Sequence, residues 1–190
     1  MLRILCTAFL LVCSAGVSRS EIVSNGGFEQ RDPQMDRPAH WHHNARNATD
    51  IVRMGWSDEA GHSGNHSISI HILEGSPPEK SQISWMWTSE AHGLVVGETY
   101  RLSAWIKTRG LGFTPTVIVQ FRNSEDEFLS RADTHTGFPL TGTVDWTEVS
   151  SEFVVPPQTT HVKIRAIVKS HDNAGGSVWF DDISVQKVER

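Results

Sequence analysis

The sequence predicts an all-β fold, a sandwich or barrel of antiparallel strands, and three observations carry that expectation. Short stretches alternate apolar and polar residues with a period of two, which marks strands with one packed and one wet face. Clusters of Gly, Pro, Asn and Ser fall between those stretches at fairly even spacing, as in sandwiches and barrels. No segment shows the three-and-four spacing of a long amphipathic helix.

The first twenty residues stand apart from this pattern. Met1-Leu2-Arg3 gives a short basic start, Ile4 to Val12 is largely apolar, and Ser14, Ala15, Gly16, Ser18 and Ser20 are small. The apolar run is too short to span a bilayer, and the order of parts is that of a secretory signal peptide over residues 1–20. Cleavage is expected after Ser20, with Gly16 as the second choice. The protein is therefore expected to be secreted, to the periplasm or the extracellular space. Cys6 and Cys13 both lie in this leader, so no disulfide framework is expected in the remainder. Val12 stands where a lipid-anchored cysteine is preceded by a small residue, which argues against Cys13 as an anchor.

The body, residues 21–190, has about 170 residues, enough for one domain with a real core. Its strands are expected at Ile51 to Met54, Ser67 to Leu73, Ser81 to Thr88, Thr99 to Thr108, Pro115 to Arg122, Trp146 to Val155, His161 to Lys169 and Ser177 to Lys187. The clearest alternation puts Leu102, Ala104 and Ile106 opposite Ser103, Trp105 and Lys107. It puts Val117, Val119 and Phe121 opposite Ile118, Gln120 and Arg122. In the segment from His161, Val162, Ile164, Ala166 and Val168 stand opposite Lys163, Arg165 and Lys169. The first set in each strand is the expected core. Gly61 to Asn65, Gly75 to Pro78, Arg109 to Gly112, Pro156-Pro157 and Asn173 to Gly176 supply the turns.

Without Arg3 and Arg19, the 17 Lys and Arg fall to 15 against 22 acidic residues, a formal balance of −7. No basic run remains, which argues against nucleic acid and anionic membranes as partners. No later stretch is apolar enough for membrane insertion. The sequence does not bear on oligomeric state.

Several short phrases, in order, resemble carbohydrate-binding modules of the family 4/9 type, related to family 22. They are Asn25-Gly26-Gly27-Phe28-Glu29; Pro38 followed by Trp41; His62-Ser63-Gly64-Asn65-His66-Ser67; Gly97 to Lys107; Asp145-Trp146-Thr147-Glu148 leading to Phe153-Val154-Val155-Pro156; and Phe180-Asp181-Asp182-Ile183-Ser184-Val185. The resemblance implies a galactose-binding-like jelly roll, a concave sheet face used as a glycan cleft, and a structural calcium where the two chain ends meet. Glu29 and Asp181 match the family's carboxylate ligands, with backbone oxygens at Gly27 and Ser63 completing the shell and Asp182 as the alternate carboxylate. Calcium takes six to eight hard oxygens of this mixed kind. Pinning the ends would offset the closure entropy of a loop of roughly 150 residues. The alternative is that both carboxylates only cap turns.

Seven tryptophans and one tyrosine make a skewed aromatic set. A sugar stacked on an indole removes roughly 60 to 80 Å² of mostly apolar surface from water, about 1.5 to 2 kcal/mol. Gln and Arg supply in-plane hydrogen bonds. The expected carbohydrate-binding residues are Trp85 and Trp87, two apart and so on one face, with Trp105, Gln120 and Arg122, which neighbouring strands would set side by side. Trp41, Trp146 and Trp179 are expected to be structural, and Trp56 has no assignment.

Ten histidines fit no zinc spacing. Glu125, Asp126 and Glu127 read as an acidic hairpin tip, and Glu148 and Glu152 as outward strand positions. Two carboxylates set for glycoside hydrolysis are not evident, nor is a nucleophile or phosphate-loop motif. The expectation is a non-catalytic domain that binds a poly- or oligosaccharide. The alternative is an extracellular adhesion or assembly sandwich without a glycan site, with a glycoside-acting enzyme behind it. Asn47-Ala48-Thr49 and Asn65-His66-Ser67 are glycosylation sequons in a source that uses them.

Overall fold

The structure, a computed structural model, describes residues 21–45, 50–58, 61–74, 84–134, 139–169 and 173–189. The leader, the Asn47 sequon, the Gly75 to Pro78 turn and the start of the strand expected from Ser81 lie outside them. Ten strands form two five-stranded sheets. Sheet I runs β1 (His42–His43), β4 (Ser84–Ala91), β9 (His161–Lys169), β6 (Thr116–Arg122), β7 (Phe128–Asp133). Sheet II runs β2 (Val52–Ser57), β3 (Ser67–Ile72), β10 (Ser177–Lys187), β5 (Thr99–Leu111), β8 (Gly142–Val154). All neighbours pair antiparallel. This is the expected all-β sandwich, and no described residue is helical.

The period-two pattern decides the core. Leu102, Ala104, Ile106, Val117, Val119, Ile164 and Ala166 are fully buried, with Phe121 and Val168 almost so, between the two sheets. Trp87 faces inward opposite the small Ala166, and Trp85 opposite Val168, so large and small side chains interdigitate. The Trp87 Nε1–H donates across the gap to the Ser69 carbonyl at 3.2 Å, tying sheet I to sheet II. Trp41 packs edge-on to Phe28 at 5.1 Å and donates to the Ser24 and Asn25 carbonyls. Its expected structural role holds.

The two ends of the domain meet, but as a loop against a strand and not as the two neighbouring strands expected. Val23 bridges to Ala91, and the chain then runs beside β10, where the Ile183 N–H donates to the Gly26 carbonyl at 2.9 Å. A side chain at Gly26 would drive its Cβ into the Ile183 carbonyl, so the approach requires glycine. Asn25 sits in the left-handed region at φ 53 and holds the loop with its amide. Nδ2 donates to Gln30 and Ala39 carbonyls, and Oδ1 accepts from Gln30 N–H. Beyond it, the register of β10 against β5 shifts between Asp181 and Ser184. That bulge re-aims Asp181 and Asp182 toward the turn at 62–66.

Candidate functional site

The turn at 62–66 is held from both ends of the chain. Asp181, fully buried, accepts the His62 and Ser63 N–H groups on Oδ2 at 2.7 and 3.1 Å and the Asp182 N–H on Oδ1 at 2.7 Å. Asp182 takes the Ser63 hydroxyl at 2.6 Å and His62 Nδ1 at 2.7 Å. Glu29 Oε1 accepts the Asn65 and His66 N–H groups, both at 2.8 Å, and Oε2 lies 3.0 Å from His66 Nδ1. Gly64, at φ +63, lies so close to the Glu29 carboxylate that any side chain would collide with it.

The two carboxylates differ in their electrostatics. Burial works against ionising Glu29, but hydrogen bonds from the His66 ring and from the His66 and Asn65 amides outweigh it and hold the group below its usual range. Burial pushes Asp181 up to about 6, with the charge of Asp182 adding to it against three amide hydrogen bonds. Asp181 is a buried carboxylate facing amides and no cation. Gly27, Glu29, Ser63 and Asp181 thus lie around one turn. Among the described residues, no three His, Cys, Asp or Glu side chains converge as a metal cluster. A hard cation here would have to draw on backbone carbonyls and water beside the two carboxylates, a donor set that suits calcium.

The residues expected to bind sugar are not brought together. Trp85 and Trp87 are 4% and 1% exposed in the core, which corrects their reading as stacking platforms. Two indoles bury more apolar surface between the sheets than Met86 and Thr88 would, so they turn inward. Trp105 does not neighbour Gln120 and Arg122 either. It lies on the outer face of sheet II, whereas β6 joins sheet I, so the three point away from opposite sides of the sandwich. Adjacency in sequence failed because the chain crosses between sheets after β5.

The outer face of sheet II is rich in aromatic side chains that answer one another. Trp105 stacks on His62 at 3.7 Å and 11°, and Trp146 meets the same imidazole edge-on at 5.9 Å. Trp146, expected to be structural, is half-buried there rather than in the core. Trp179 is 8% exposed beneath Arg109, whose guanidinium lies 5.4 Å from its ring, and beside His71. Trp56, paired with the fully buried Ile68, packs against the core from the sheet edge, stacks on His66 at 4.5 Å and donates to the Phe28 carbonyl. Lys107 pairs with Asp145, and Lys187 with Glu98. A groove of about 880 Å³ runs between the N-terminal segment and the C-terminal half of β10, and Trp105 borders it.

The outer face of sheet I is different. Register sets Asp133, Ile118, Arg165 and Thr88 in one row across β7, β6, β9 and β4. Arg131, Gln120, Lys163 and Glu90 form the next row, and Arg122 and His161 a third. Ile118 is 4% exposed although it faces away from the core. Arg122 Nε pairs with Asp126 at 2.6 Å, and Arg122 reaches the Gln120 amide oxygen. Lys163 also approaches Asp126, at 3.5 Å.

Two atoms in the first row have no hydrogen-bond partner although they are buried: Arg165 Nε and Asp133 Oδ1. Asp133 Oδ1 lies 3.3 Å from Arg131 Nε, close enough for charge pairing but not aligned as a hydrogen bond. Burial, followed by repulsion from Arg122, holds the Arg165 guanidinium below its usual range. Lys163 and Arg165 belong to the polar set that alternation in β9 predicts; what sequence reasoning missed is that β6 and β7 complete a site around them.

Comparison with known proteins bears on the family. A search of curated proteins finds no match. Among solved structures, the chain is similar to a family 16 carbohydrate-binding module (18% identity, TM-score 0.56, covering 89% of this chain and 100% of that one). It is also similar to the CBM22-1 xylan-binding domain of Xyn10C from Paenibacillus barcinonensis (13% identity, TM-score 0.55, 87% and 93%). A third likeness is to the enzymatically active domain of tailspike protein 4 from bacteriophage CBA120 (13% identity, TM-score 0.64). That match covers 88% of this chain but only 21% of the tailspike domain's chain. At these identities the likeness shows a shared fold. The family model described as a carbohydrate binding domain matches residues 20–174, and with the sandwich it matches, the chain belongs to the family 4/9 carbohydrate-binding domains.

Proposed function

We propose that this domain binds a poly- or oligosaccharide along the outer face of sheet I and does not alter it. The observation that carries the reading is the row Asp133–Ile118–Arg165–Thr88, in which a donor and an acceptor without hydrogen-bond partners flank an apolar side chain. A buried polar atom left unpaired costs about 1 to 3 kcal/mol; both atoms are shielded from water, so a ligand satisfies them as the Arg165 and Asp133 side chains turn toward it. Sugar hydroxyls donate and accept at once, and a pyranose C–H face suits Ile118. Gln120 adds an amide in the adjoining row. A few such contacts, less the ordering of the ligand, correspond to micromolar to millimolar affinity.

The non-catalytic part of the reading is supported by the match to a family described as a carbohydrate binding domain. Export and a structural calcium at the 62–66 turn are part of the same proposal. The calcium is supported by a buried Asp181 that faces amides alone. A second reading places the sugar against Trp105, because that indole is half-buried and borders the groove on sheet II.

Affinity electrophoresis in gels cast with soluble polysaccharides tests the reading. Retardation of the wild type that is lost in Asp133→Ala or Gln120→Ala, and kept in Trp105→Ala, is the expected result. Loss in Trp105→Ala alone moves the site to sheet II. No retardation by any polysaccharide favours the adhesion or assembly alternative.

A further inference from the structure

The outer face of sheet I carries five cationic side chains, Arg122, Arg131, Lys163, Arg165 and Lys169, and three carboxylates, Glu90, Asp126 and Asp133. Three of the bases have an acid beside them. Arg122 and Lys163 share Asp126, and Arg131 lies against Asp133. Lys163 also has Glu90 as its cross-strand neighbour. Lys169 lies over the Phe113 ring at 5.1 Å. Arg165, in the middle of the face, has no carboxylate in contact among the described residues, and its buried Nε has no hydrogen-bond partner. Its cross-strand neighbours are Thr88 and Ile118, neither of which carries charge.

A half-buried guanidinium left in this state is unfavourable. It has lost water on part of its donor fork, and repulsion from Arg122 outweighs the attraction of Asp126. The planar fork is shaped for two parallel hydrogen bonds to an oxyanion, which are about twice as strong as neutral ones. A neutral hydroxyl satisfies the hydrogen bond but leaves the charge uncompensated. We infer that the saccharide bound on this face carries anionic groups, uronate carboxylates or sulfate esters, and that Arg165 receives one of them as a bidentate partner. Lys169 lies along the same strand and extends positive charge along the path of a chain that bears such groups repeatedly. This inference rests on the proposal that sheet I is the glycan face.

The experiment compares the folded protein in affinity gels of polygalacturonate, dextran sulfate, xylan and a neutral β-glucan, at low and at physiological ionic strength. The expected result is stronger retardation by an anionic polymer than by the neutral ones, weakened by salt as a surface charge interaction is. The polygalacturonate and dextran sulfate gels tell carboxylate from sulfate. Arg165→Gln is expected to weaken anionic binding at least about tenfold, and Arg165→Lys to restore part of it as a point charge without the fork. Lys187→Gln, on sheet II and paired with Glu98, controls for adhesion through net charge and is expected to change nothing. Thermal melting of each variant confirms that it is folded. Equal or stronger binding to a neutral polymer, unaffected by Arg165→Gln, overturns the anionic inference and leaves the glycan reading standing. Anionic retardation reduced as much by Lys187→Gln as by Arg165→Gln also overturns it. Absence of binding to all four polymers overturns both.

Discussion

The two outer faces of the sandwich present opposite solutions to exposed polar sheet positions. On sheet II the side chains are matched to each other: Trp105 lies flat on His62, Trp179 sits under Arg109, and Lys107 meets Asp145. On sheet I, two atoms of charged groups, Arg165 Nε and Asp133 Oδ1, are buried and lack hydrogen bonds, whereas the atoms so placed on sheet II strands, Ser67 Oγ and Ser151 Oγ, are neutral hydroxyls. Aromatic content and unpaired polar atoms therefore point to different faces. An indole already stacked on one side contributes packing, whereas a desolvated donor without an acceptor is a standing free-energy cost that a ligand can remove.

The largest expected effect tests the corrected position of Trp87. Trp87→Ala opens a core cavity and removes the bond to Ser69, so it should cost about 3 to 5 kcal/mol in denaturant unfolding. Reduced glycan binding at unchanged stability would instead restore it as a platform. Next, Gly26→Ala places a methyl group against the Ile183 carbonyl and should cost about 1 to 3 kcal/mol, read in the same assay, while affinity per folded molecule stays constant.

Trp105→Ala removes the His62 stack and should lower stability by about 1 to 2 kcal/mol without affecting gel retardation. Gln120→Ala should do the reverse, with affinity down about three- to tenfold and melting temperature unchanged. If these two variants exchange behaviours, the contrast between the faces is inverted.

The 62–66 turn gives a separate test with a definite sign. Asp181 has its folded pKa raised from 3.8 to about 6. The stability linked to it is therefore fully present below 3.8 and is lost as pH rises through about 6. Chelator-treated protein should melt at a lower temperature at pH 7 than at pH 5, and added calcium should reverse that fall. Differential scanning calorimetry with and without calcium checks it. Saturation at a hundred times the dissociation constant is worth about 2.7 kcal/mol.

Much of this was legible from residue order, and the gaps have physical causes. Alternation in β9 gave the observed bounds of His161–Lys169 and both of its faces. β10 was equally clear, and the family resemblance implied that the Asn25-Gly26-Gly27 phrase lies near it, although as a loop and not as a strand. β7 was not anticipated, because a register shift between Phe121 and Arg122 interrupts the pairing that leads into it. Nor did the pattern tell which way Trp85 and Trp87 point, since Met86 on the other face is also apolar. The site on sheet I needed the strand order β4-β9-β6-β7, and that order depends on long-range pairing which no local window contains. Arg165 could be placed on an outward face from alternation, but its lack of a contacting carboxylate among the described residues could not.

The position of β10 has a consequence for how the domain is made. The last of the described strands in chain order is the middle one of sheet II, lying between β3 and β5. Those two strands have no direct pairing with each other and must wait for it. Native sheet II is thus a late, all-at-once event governed by distant partners, and a nascent chain stopped before Ser177 would display two unmatched β edges to its surroundings.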